Sequence, residues 1–134
     1  MRLWDELPSS TSSTVPHVEA PLDFDQRALD TLLDSLDGDS EAFNDLIATY
    51  LADSAQQLAE LQPALERNDL KLIGRIAHTL KSTSLAFGAL GLVSACAELQ
   101  RCSTAGSAEE ISAQLPILAH ELTRVQAFLS QRLR

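Results

Sequence analysis

Aromatic side chains are scarce in this chain: four Phe, one Tyr and one Trp, or 4% of 134 residues. Strands draw heavily on aromatic and β-branched residues, so the scarcity argues against a β-sandwich. It also removes the stacking platforms on which single-stranded nucleic acids lie. Long apolar runs are missing too. A membrane-spanning helix needs about 18 or more consecutive apolar residues, and no segment comes near that. The N-terminus lacks the apolar stretch of a secretory signal, so a soluble, cytoplasmic chain is expected. Basic residues are the minority, ten Lys and Arg against nineteen Asp and Glu, for a net charge of −9. A nucleic-acid binder needs clustered cations to displace phosphate counterions, so that partner class is set aside. Cysteines number two. Cys96 and Cys102 lie six residues apart in a helical stretch, which points them about 120° apart around one helix. Neither a disulfide nor a zinc site follows; Cys96 reads as a small core residue and Cys102 as a free thiol near a helix end.

The acidic excess is local. Residues 1–45 hold eleven Asp and Glu against Arg2 and Arg27, while the remaining 89 residues carry eight charges of each sign. Such a front segment chiefly confers solubility. Residues 1–22 are a polar, proline-punctuated run, with Pro8, Pro16 and Pro21 around Ser9–Thr14. They read as a linker or flexible tail, in which Trp4 has no evident task. A domain over residues 23–134 follows, of ordinary single-domain size.

From residue 23 the apolar residues recur at helical spacing. Helix one is expected at about 23–36 on Leu29, Leu32, Leu33 and Leu36. Asp37-Gly38-Asp39 ends it and caps helix two, expected over about 40–67 with Phe43, Leu46, Ile47, Tyr50, Leu51, Leu58, Leu61 and Leu65 inward. Pro63 is expected to kink that helix or split off its last turn. Asn68-Asp69 opens helix three, which runs through Phe87 to Gly88; helix four covers about 89–102. Ser107 and Glu110 make a capping box for helix five, 108–132, which carries Ile111, Leu115, Leu118, Leu122, Val125 and Leu129 on one face. Pro116 should bend it. With no strand or hairpin signal, the expected fold is all-α: an antiparallel four-helix bundle with a short additional N-terminal helix.

Helix three carries the chemistry. With Ile73 at 0° and 100° per residue, Leu70, Ile76, Ala77, Leu80, Ser84 and Phe87 fall within about 60° of it and mark the buried face. His78 falls near 140°, in the sector of Lys71, Arg75 and Ser82 at about 160–200°, with Lys81 one turn along at about 80°. An outward stripe of Lys71, Arg75, His78, Ser82 and Leu85, flanked by Lys81 and Gly74, surrounds a histidine with cations in an acidic chain. His78 has no second His, Cys or carboxylate one turn away, and the cations repel a metal, so no metal site is expected. A convex helix face gives a general base no substrate pocket. Imidazole is a suitable nucleophile toward phosphorus near neutral pH, and exposure admits a large partner. Lys81 would neutralise phosphoryl oxygens, and the small Gly74 and Ser82 let another backbone approach. Geometry alone leaves His78 open as an ordinary surface histidine, like His120.

The run Ala77-His78-Thr79-Leu80-Lys81-Ser82-Thr83-Ser84-Leu85-Ala86-Phe87-Gly88-Ala89 resembles the signature of histidine-containing phosphotransfer (HPt) domains, His-x-x-Lys-Gly followed by small residues and a glycine ten positions after the histidine. Leu36–Asp39, Asn68-Asp69, Cys96 and Leu99-Gln100 fit that family's layout, so the resemblance covers about 23–134. It implies that His78 is the phosphoacceptor on Nε2, that Lys81 contacts the phosphoryl group, and that Gly88 ends the histidine helix. Gln100 matches a position that in some members hydrogen-bonds near the histidine. Ser82 departs from the pattern, where most members have glycine.

The resemblance implies a phosphorelay intermediate of two-component signalling, which takes phosphate from a receiver-domain aspartate and passes it to another receiver. Lys71, Gly74, Arg75, Ser82 and Leu85 would face that partner, with part of helix one beside Leu85. No cofactor is expected in this chain, since the receiver brings the Mg²⁺; no nucleotide signature is present, so the chain is a carrier and not a kinase. A monomer is expected, either free-standing or as the C-terminal domain of a hybrid sensor kinase. Two rivals stand beside this reading. A kinase dimerisation domain fits poorly, because Thr79 follows His78 and no proline comes before Pro116. A helical module that binds or sequesters a receiver without phosphotransfer would need neither His78 nor Lys81.

Overall fold

The computed structural model of the chain describes residues 23–133. The tail expected over 1–22, with Trp4, lies outside the described residues. Five helices follow one another: α1 Gln26–Ser35, α2 Ser40–Glu66, α3 Leu70–Ala86, α4 Leu90–Ala105 and α5 Ala108–Ser130. Among the described residues there is no strand, only an isolated bridge between Phe24 and Ala89. Helices α2, α3, α4 and α5 pack each on the next, α5 returns to α2, and α1 lies on α2 and α3. This is the all-α four-helix bundle with an extra N-terminal helix that the periodicity predicts.

Local chemistry starts and stops these helices. Asp25, Asp39, Asp69 and Ser107 accept backbone N–H bonds from Arg27, Ala42, Leu72 and Glu110 at 3.1–3.2 Å, occupying donors that a first turn leaves open. Asp37, Gly38, Asn68, Gly88 and Gly106 take positive φ at the joints. Helix α1 begins three residues later than periodicity places it. Its lead-in, Asp23–Asp25, is instead an extended strap. The Asp23 carbonyl accepts from the Leu90 and Gly91 N–H groups at 2.9 and 3.2 Å, and the Asp25 N–H donates to the Gly88 carbonyl at 2.8 Å. These bonds serve the start of α4, which has no side-chain cap. A Cβ on Gly88 would lie 2.3 Å from the Asp25 carbonyl oxygen, and its φ is +72°, so both contact and conformation demand glycine there. The Arg124 guanidinium grips the Asp23 carboxylate, and the Phe24 ring stacks on Phe128 at 4.1 Å.

The α3 face predicted as buried is buried: Ile73, Ile76, Ala77, Leu80, Ser84 and Phe87 all lie in the core. Tyr50 of α2 stacks on Phe87 at 4.2 Å and shares a 2.7 Å hydrogen bond with Ser84. The structure adds detail to the expectations in three places. Leu46 is 37% exposed, because its neighbour Ile47 takes the inward direction and adjacent residues on a helix diverge by about 100°. Helix α2 is not split at Pro63, which lies inside one continuous element. Helix α4 runs to Ala105, three residues past the expected 102, and Cys102, a free thiol in its last turn as expected, is fully buried.

Candidate functional site

His78 is the ninth residue of α3 and is exposed. Among the described residues it has no hydrogen bond or ion pair, so its imidazole is held only by its backbone. Lys71, Arg75 and Ser82 are exposed on the same outward face, and Gly74 and Lys81 are half-buried beside it. Lys71, Arg75 and Lys81 have no carboxylate partner among the described residues, whereas Arg67 approaches Asp69 at 4.0 Å. Among the described residues the cationic stripe is therefore unneutralised around the histidine. Leu85, seven residues along α3 and so about 10 Å farther on, is 57% exposed.

Gln100 reaches this site through the register of α4. Gly74 meets Ser103 across the seam, and the two helices run antiparallel. Four steps forward from Gly74 give His78, and four steps back from Ser103 give Leu99, so Leu99 is level with the histidine and Gln100 lies one residue from that level. The same register sets Lys81 opposite Cys96, whose thiol feels the Lys81 charge. Lys81 and Gln100 line one open groove of about 580 Å³ with Ala97, Arg101, Thr104 and Ala105. Arg101 adds little positive field there. Its guanidinium is bound by Glu98 at 2.5 Å and Glu110 at 3.0 Å. Burial pushes the Cys96 thiol up to about 12, so it is a packing residue and not a second nucleophile.

Two further grooves flank α3. One of about 610 Å³ runs between α1 and the end of α3, floored by Ala28, Leu32, Leu85 and Ala86 and rimmed by Arg27 and Thr31. The sequence places Leu85 beside helix one without naming those α1 residues, since only the crossing of α1 over α3 selects them. The other, about 300 Å³, lies between α2 and α3, where Leu46, Thr49 and Asp53 face Thr79, Thr83 and Phe87. Sequence reasoning misses it; the adjacent pair Leu46-Ile47, of which one must point away from the core, is the signal that reveals it. Among the described residues no three of His, Cys, Asp and Glu gather to hold a metal ion. No helix there is long and apolar enough to cross a membrane.

The arrangement offers a nucleophile on a convex face, with a cation one turn away and an amide within one residue of its level. Comparison with known proteins places the chain beside phosphotransfer proteins. The family model for the Hpt domain matches residues 45–128. Multistep phosphorelay regulator 1 of Schizosaccharomyces pombe is 31% identical over 77 residues, 57% of this chain and 26% of that protein. The chain therefore spans about a quarter of the length of that curated relative. The crystal structure of histidine-containing phosphotransfer protein B (HptB) from Pseudomonas aeruginosa PAO1 matches with a TM-score of 0.78 and 25% identity, covering 84% of this chain and 96% of that one.

Proposed function

This chain belongs to the Hpt domain family, and from that premise we propose that it carries phosphate in a two-component phosphorelay, with His78 as the acceptor. The observation that carries the reading is an exposed imidazole midway along α3 that, like Lys81 one turn on, has no partner among the described residues. The names of its relatives, a phosphorelay regulator and a histidine-containing phosphotransfer protein, support the same role.

The step runs in line. The Nε2 lone pair of neutral His78 attacks the phosphorus of a receiver's aspartyl phosphate. The P–O bond to the aspartate breaks, and its electron pair returns to the carboxylate. The new N–P bond leaves the phosphoryl group on Nε2; the Nδ1 proton stays on the ring during transfer and exchanges with solvent afterwards. Delivery to a second receiver reverses the sequence. Lys81 lowers the repulsion between the two negatively charged sites and holds a phosphoryl oxygen, and Gln100, one residue from the level of the histidine, supplies a hydrogen bond. Mg²⁺ belongs to the receiver, whose acidic pocket complements Lys71, Arg75 and Lys81. Gly74 and Ser82 admit its backbone, and Leu85 with the α1–α3 groove receives its apolar helix. The domain works as a monomer on the cytoplasmic side, free or as part of a hybrid sensor kinase.

Incubation with phosphorylated receiver domains and Mg²⁺ tests this. Acid-labile, base-stable label is expected on the wild type and none on His78→Gln. Binding without label, across several receivers, would replace the reading with a module that sequesters receivers.

A further inference from the structure

We infer that Ser82 is a second phosphoryl-holding residue, whose hydroxyl donates to the group carried on His78 and lengthens its lifetime. The inference rests on the reading of His78 as the phosphoacceptor. Four positions on α3 lie one turn from His78: Gly74, Arg75, Lys81 and Ser82. Side chains on a helix lean toward its N-terminus. Lys81 and Ser82 therefore lean toward the turn that carries the histidine, and Gly74 has no side chain to offer. Around the helix, Lys81 stands on the α4 side of His78 and Ser82 on the solvent side, within about 60° of it in each case. The two thus stand on either side of His78 around the helix, each one turn from it.

The Ser82 hydroxyl is also free to act. The next residue shows the usual alternative: Thr83 donates its hydroxyl to the Thr79 and Leu80 carbonyls at 3.1 and 3.3 Å. Ser82 makes no such bond to the His78 carbonyl or to any other described residue. It is exposed, so in the unphosphorylated protein its hydroxyl faces water. Phosphorylation places a doubly charged group with three acceptor oxygens about one helical turn away. A hydroxyl bond to an anionic oxygen is among the stronger kinds. In a loose transition state the phosphoryl group loses charge as it leaves the ring nitrogen. A donor fixed on its oxygens thus holds the ground state more firmly than the transition state and slows loss to water.

The test needs no partner protein. Phosphoramidate serves as donor: the Nε2 lone pair of His78 attacks its phosphorus, the P–N bond breaks, and ammonia leaves. After removal of the donor, decay of the phosphohistidine is followed by ³¹P NMR in wild type, Ser82→Ala, Ser82→Gly and Ser82→Thr. Decay about three- to tenfold faster is expected in the Ala and Gly variants, the range of one net hydrogen bond. The Thr variant, which keeps the hydroxyl, should return toward the wild-type rate, and unfolding temperatures should stay together. Wild-type decay in Ser82→Ala would overturn the inference, as would a fast Gly variant beside a slow Ala variant, which would assign the effect to the backbone. Absence of label on the wild type, or label surviving in His78→Gln, would overturn the phosphoacceptor reading itself and is told apart at the loading step.

Discussion

Gly74 and Ser103 face each other across the α3–α4 seam so closely that a Cβ on the glycine would lie 3.0 Å from the serine hydroxyl oxygen. That hydroxyl donates to the Gln100 carbonyl at 2.9 Å. This close contact marks the register of α4 against α3, in which Gln100 lies within one residue of the level of His78.

Gly74→Ala should leave stability almost unchanged, because two effects oppose each other. Alanine is favoured over glycine inside a helix by about 0.5–1 kcal/mol, but its methyl must displace the Ser103 hydroxyl from the Gln100 carbonyl. In a Ser103→Ala background the obstacle is gone, and the same change should stabilise by about 0.5–1 kcal/mol. Urea unfolding of the four proteins measures the coupling. Additive effects would mean that the small residue at 74 does not serve this contact.

Lys81→Ala should slow transfer from a receiver by about tenfold, a small fraction of what a fully enclosed anion-stabilising donor supplies. Stability should move by less than about 0.5 kcal/mol, since no ion pair is lost. Rapid-quench kinetics beside a thermal melt separates the two. An unchanged rate would remove Lys81 from the chemistry.

The α3 helix was the most legible part of the chain, because one element carries both a strict apolar face and the signature residues. Ile73, Ile76, Ala77, Leu80, Ser84 and Phe87 bury as the 100° wheel predicts, Leu70 only in part, and the same wheel exposes His78 and Ser82. What the sequence does not disclose depends on contacts between elements. Asp23–Asp25 have a helical prelude's composition, yet they form a strap because the uncapped start of α4 needs acceptors. The end of α4 was legible only in its Gly106, which takes φ +76°, while the expected end at 102 falls short of Ala105. Gln100 could be matched to a family position, but its height near His78 is read from the Gly74–Ser103 contact.

Tyr50→Phe removes the buried hydroxyl bonded to Ser84 and keeps the ring stacked on Phe87. A loss of about 1 kcal/mol is expected, with phosphotransfer unaffected because both groups lie on the face opposite His78. Denaturant unfolding reads the first and labelling kinetics the second. A larger loss would mean that Ser84, left without its partner, finds no substitute.

The thiols should be inert in the folded protein. Burial pushes Cys96 up to about 12 and raises Cys102 as well, and both are fully enclosed. An aromatic disulfide reagent at pH 8 should titrate two thiols after denaturation and none before it. Rapid reaction of the native protein would place one thiol outside the core.

The strap has a pH signature. The Arg124 guanidinium holds the Asp23 carboxyl below its usual value of 3.8, so the folded state binds this proton less readily than the unfolded one. The contribution is therefore complete above about pH 4 and disappears as pH falls through the lowered value. Wild type should be more stable than Asp23→Asn at pH 7, and the gap should narrow steadily as pH falls below 3.8. A gap of equal size throughout would show that the carboxylate charge is not what Arg124 recognises.

Where Asp23 is moored also decides how force enters the domain. The polypeptide arriving at residue 23 is fastened to the α3–α4 turn and to α5, about 15 Å along α3 from His78. A pull from the upstream chain is taken up by Arg124, Phe128 and the amides of Leu90 and Gly91, at a corner of the bundle. His78, Lys81 and Ser82 lie outside that anchorage, so a load on the strap does not act on them directly.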